Sequence, residues 1–127
     1  MDQPPHDLHP LLQQIARPLF EDAARHARQA GLDAVVRDEA NSVGPVLCLE
    51  VARPGERPSR YRLLGDTAAA RVRHECFFAY TGETRRLEAA PASVNETVLD
   101  TRLAAFFREA FGLSLDYTAE RRQAGFW

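Results

Sequence analysis

AARVRHECFFAY, residues 69–80, is the longest strand-like run in the chain and decides how the rest is read. Val72, His74, Cys76, Phe78 and Tyr80 share one parity, and Arg71, Arg73, Glu75, Phe77 and Ala79 share the other. In a strand the two sets face opposite ways. The first set is expected to face the core. The second starts charged and ends apolar, so the outer face is wet at one end and apolar at the other. A β-bulge near Glu75, which would exchange the two faces, is the alternative.

Working outward, the period of two extends over Asp33–Glu39, Pro45–Ala52, Arg60–Gly65 and Thr84–Ala89, each bounded by turn-forming residues such as Gly44-Pro45, Pro54-Gly55, Gly65-Asp66 and Gly82. Connections this short favour antiparallel neighbours, so four to five strands form a meander. On either side the period is helical. Leu8, Leu12, Ile15, Leu19, Ala23 and Ala27 form one stripe after the cap candidate Asp7, with a kink, or two helices meeting, expected near Arg17 because Pro18 interrupts the ladder. Ser93-Val94-Asn95-Glu96 reads as a capping box for a second helix, which carries Leu99, Leu103, Phe106, Phe107 and Phe111 and ends at Gly112. The fold class is α+β: an N-terminal helix, an antiparallel meander and a C-terminal helix, with both helices on one face of the sheet.

A chain of 127 residues suits one domain, 1–127, with residues 1–7 flexible and 114–127 a C-terminal tail. Nothing in the sequence approaches a membrane-spanning run or the layout of a signal peptide, so a cytoplasmic protein with no membrane partner is expected. All 16 positive residues are Arg, as a GC-rich bacterial genome would produce. The net charge of −2 is uneven, because residues 53–86 carry eight Arg against four acids, whereas the segments on either side are acidic. Such asymmetry can mark an anionic partner.

The outer sheet face is expected to hold Val46, Cys48, Leu64 and Phe77, ringed by Arg60, Arg62, Arg71 and Arg73. An apolar patch rimmed by Arg fits a protein interface, and together with the terminal aromatics Phe126 and Trp127 it points to a homodimeric, non-enzymatic interaction module, adaptor or chaperone-like. Nucleic acid tracked by the four arginines is the alternative, opposed by the acidic net charge and the lone aromatic; ion pairing of those arginines with Glu50, Glu75 and Glu88 is the bland account. A ligand pocket between sheet and helices near His74 is a third reading.

No residue pattern names a reaction. His74 and Cys76 share a face but stand about 6.5 Å apart along a strand, and a buried Cys is usually a small hydrophobe. Cys48 has the opposite parity and lies two strands away, roughly 10 Å, beyond disulfide reach. His6 and His9 lack a third preorganised ligand, so neither a metal nor a cofactor is expected. The element order resembles in outline that of the double-stranded-RNA-binding domain, frataxin and the small acidic secretion chaperones. No motif is matched residue by residue, and Ser93-Val94-Asn95-Glu96 stands where the first of these presents a basic cluster.

Overall fold

The computed structural model describes residues 8–115, so the segment expected to be flexible, 1–7, and the aromatics Phe126 and Trp127 lie outside the described residues. Helical structure runs from Leu8 to Gln29 in three parts: α1 (Leu8–Pro10), a π-helical segment (Leu11–Ala16) and α2 (Arg17–Gln29). The π turn lies immediately before Pro18. There the Arg17 N–H reaches back five residues to the Leu12 carbonyl, the wider ring that accommodates a proline in the following turn.

The extra residue rotates the face that follows. Ile15, expected on the buried stripe, is 39% exposed, whereas Ala16 and Phe20 are fully buried beside Leu12, Leu19 and Ala23. A stripe at 3.6 residues per turn places Ile15 inward, and the π turn breaks that period.

Five antiparallel strands follow in sequence order: β1 (Asp33–Asp38), β2 (Val46–Ala52), β3 (Ser59–Asp66), β4 (Arg71–Phe78) and β5 (Glu83–Ala89). Pairing of β4 is continuous on both sides, from Asp66 opposite Arg71 to Arg60 opposite Phe77, and from Val72 opposite Ala89 to Phe78 opposite Glu83. There is no bulge at Glu75. Val72, His74, Cys76 and Phe78 therefore face the helices as the alternation requires. Tyr80, expected to join them, is 64% exposed because the strand ends at Phe78 and turns.

A 3-10 turn (Pro91–Ser93) leads into α3 (Glu96–Phe111). The expected capping box does not form. Asn95 is the N-cap, its side-chain oxygen accepting the Val98 N–H at 2.9 Å, and Gly112 closes the helix in the left-handed region at φ 64°. Ser93 stands two residues too early, and its hydroxyl is free for another partner. Leu99, Leu103, Phe106 and Phe107 of α3 meet Phe20 of α2 and the helix-facing side of β2–β4, with Tyr61 at the centre. No helix among the described residues is long and apolar enough to cross a membrane.

Candidate functional site

The face turned away from the helices is built by one parity of each strand. Register places Val46, Cys48, Leu64 and Phe77 there, as expected, with Arg60, Arg62, Arg71 and Arg73 around them. It does not form an open apolar patch. Val46 and Cys48 are buried, at 1% and 0% exposure, and Leu64 and Phe77 are half-buried. Arg37 and Arg62 stand directly opposite Cys48 on the two neighbouring strands, where their aliphatic stems can lie over it. Burial pushes the Cys48 thiol up to about 12.

The arginines are matched by acids. Glu50 is shared by Arg60 at 3.0 Å and Arg37 at 3.7 Å; Glu75 is shared by Arg62 at 3.1 Å and Arg86 at 2.9 Å; Arg62 also meets Glu39, and Arg73 pairs with Glu88. Arg37, Arg60, Arg62, Arg71, Arg73 and Arg86 are set against Asp33, Glu39, Glu50, Asp66, Glu75 and Glu88, so the face has no excess positive charge with which to track a phosphate backbone. Arg71 differs in having no ion-pair partner among the described residues; with Val43, Val46 and Leu64 it lines a shallow depression of about 320 Å3.

The helix-facing side holds a polar cluster inside an apolar core. Strand pairing sets Tyr61 opposite Cys76 and Leu63 opposite His74, so Tyr61 and His74 are diagonal neighbours. The Tyr61 hydroxyl lies 2.8 Å from Nδ1 of His74, and the hydroxyl of Ser93 lies 3.0 Å from Nε2. Both ring nitrogens are satisfied, which a buried imidazole requires. Burial first, and then the nearby positive charge of Arg102, hold His74 down to about 4, so the ring is neutral at physiological pH.

Arg102 projects from α3 towards this cluster, and its charge acts on Tyr61, His74 and Cys76 alike. Its Nε is buried with no hydrogen-bond partner, the one such side-chain atom among the described residues. The site beside it is a cleft of about 190 Å3 between β4–β5 and α3, lined by His74, Cys76, Phe78, Leu87, Arg102, Ala105, Phe106 and Glu109, with Arg85 and Arg86 at its rim. Arg85 is already engaged. It forms a two-pronged pair with Glu109 across to α3, bonds Glu83 on its own strand and stacks over the Phe78 ring at 5.0 Å.

Cys76 shares the cleft with His74, but the imidazole is occupied on both nitrogens, and burial pushes the thiol up to about 11, with Arg102 opposing. That is the opposite of an activated nucleophile. His9 remains exposed, and the described residues contain no group of three or more His, Cys, Asp or Glu arranged to hold a metal. Cys48 and Cys76 are both free, on opposite faces of the sheet with β3 between their strands.

Sequence reasoning found His74 and missed Arg102. The sequence did carry a signal for it: Arg102 lies between Leu99 and Leu103 on the apolar side of α3, one turn before Phe106, where a charge is out of place. No family model matches the chain, and neither a curated protein nor a solved structure matches it.

Proposed function

We propose that the protein is a non-enzymatic ligand-binding domain that takes a small anion in the cleft between β4–β5 and α3. The observation that carries this reading is the Arg102 side chain, which lines this concave site half-buried and with no ion-pair or hydrogen-bond partner among the described residues. An anion in the cleft would give that guanidinium a charge-assisted partner, stronger than a neutral hydrogen bond. Binding rather than chemistry is supported by the raised Cys76 thiol and the doubly held His74. The test is a nitrogen–proton correlation spectrum of the full chain titrated with sodium acetate, benzoate and phosphate. Saturable shifts confined to residues around His74, Arg102 and Leu87 are expected from at least one anion. No saturable shift there from any of the three, up to tens of millimolar, contradicts the reading.

A homodimeric interaction module is a second reading, favoured by the charge pattern of the outer face. A surface that mixes both signs in equal number can meet a twofold-related copy of itself without net repulsion, and half-buried Phe77 offers it an apolar contact. Sedimentation equilibrium distinguishes it. A dimer that Phe77→Asp converts to a folded monomer supports this reading, and a wild-type chain that is monomeric at high concentration removes it.

A further inference from the structure

We infer that the ligand of the Arg102 cleft is a small monocarboxylate with a compact apolar body, an inference that rests on the anion-binding reading above. The guanidinium decides the headgroup. The two terminal nitrogens of an arginine present N–H groups in a planar fork that matches the two oxygens of a carboxylate. Charge decides the valence. Of the three arginines around the cleft, Arg85 is held by Glu83 and Glu109 and Arg86 by Glu75, which leaves Arg102 as the one without an ion-pair partner among the described residues. Glu109 also lines the site. A monoanion neutralises Arg102, whereas a dianion brings a second charge towards the Glu109 carboxylate.

The walls decide the body. Phe78, Phe106, Leu87 and Ala105 present apolar surface, and burying apolar ligand surface there is favourable at roughly 25 cal/mol per Å2. The volume of about 190 Å3 sets the size. At ~30 Å3 per water molecule in the liquid, it holds on the order of six waters, or a covalently bonded ligand of roughly six to ten non-hydrogen atoms. Benzoate meets all four conditions and is the probe of choice.

Isothermal titration of the full chain with benzoate, benzamide and inorganic phosphate tests this, on the wild type and on Arg102→Gln and Ala105→Phe. The second variant fills the cleft from the open side of α3 and leaves the guanidinium in place. The expected result is 1:1 binding of benzoate, at least tenfold weaker binding of benzamide and phosphate, and a loss of about 10–100-fold in Arg102→Gln, as for removal of a charge-assisted fork. Ala105→Phe is expected to abolish binding. Phosphate that binds as tightly as benzoate and is lost in Arg102→Gln overturns the carboxylate assignment and leaves the anion cleft standing. If no probe binds, or if benzoate binding survives both substitutions, the assignment and the cleft reading fall together.

Discussion

The hydroxyl of Ser93 lies 3.0 Å from Nε2 of His74, joining the turn before α3 to the centre of the sheet. With Tyr61 on Nδ1, it completes a hydrogen-bonded chain that spans β3, β4 and the entry to α3. The chain holds the neutral imidazole beside the cleft and fixes how α3, and hence Arg102, approaches the sheet.

Stability is expected to fall with pH across a window set by His74. Its folded value is held down to about 4 against an ordinary 6.5, so between these values the unfolded chain binds the extra proton. The stabilising contribution is therefore complete above pH 6.5, declines as pH falls, and is lost at about pH 4. Urea denaturation at pH 7.5 and pH 4.5 should differ by on the order of 2–3 kcal/mol from this residue. His74→Gln should flatten the step, and an unchanged step contradicts the assignment.

Removing the charge of Arg102 should cost binding without costing stability. Arg102→Met keeps the apolar stem and removes the orphaned donor, whose burial costs about 1–3 kcal/mol. The thermal midpoint of the unliganded variant is expected to equal or exceed that of the wild type. A drop of 5 °C or more would mean that the guanidinium has a structural partner.

Gly44 should tolerate no side chain. A Cβ there would stand 2.3 Å from the Gly65 carbonyl oxygen, backbone against backbone where β2 begins and β3 ends. Gly44→Ala is expected to destabilise by at least about 2 kcal/mol in denaturant titration, since strain of this kind belongs to the large-effect class. Gly55→Ala serves as the comparison: it meets no atom within 4 Å, so its cost is limited to the strain of its positive φ.

On the outer face, Glu75 and Glu88 should differ. The Glu75 side chain is 12% exposed and serves both Arg62 and Arg86, whereas that of Glu88 is 50% exposed and serves Arg73 alone. Glu75→Ala is expected to cost about 1–3 kcal/mol and Glu88→Ala less than about 0.5 kcal/mol, measured side by side in urea.

Strand parity and helix periodicity carried the architecture, because each depends on local spacing that a single chain displays. The faces of β4 follow directly from Val72 to Phe78, and all four expected outer-face residues, Val46, Cys48, Leu64 and Phe77, lie on that face. Four features were not legible. The π turn ahead of Pro18 moved Ile15 out and Ala16 in, since a proline announces a break in the ladder but not how the break is accommodated. Ser93 matched the capping pattern in sequence, yet Asn95 won the cap and released Ser93 to His74, a contact between residues 19 apart. Burial of Cys48 beneath long charged side chains, and the gap around Arg102, depend on three-dimensional packing that no periodicity records.

The central claim concerns one guanidinium, that of Arg102, on which its own Hε proton reports. Its resonance, assigned by comparison with Arg102→Gln in an arginine-selective nitrogen–proton spectrum, should follow added benzoate. A saturable shift, on the same isotherm as the amides around His74, is the result the account predicts. An Hε resonance that stays in place while benzoate reaches saturating concentration would contradict it.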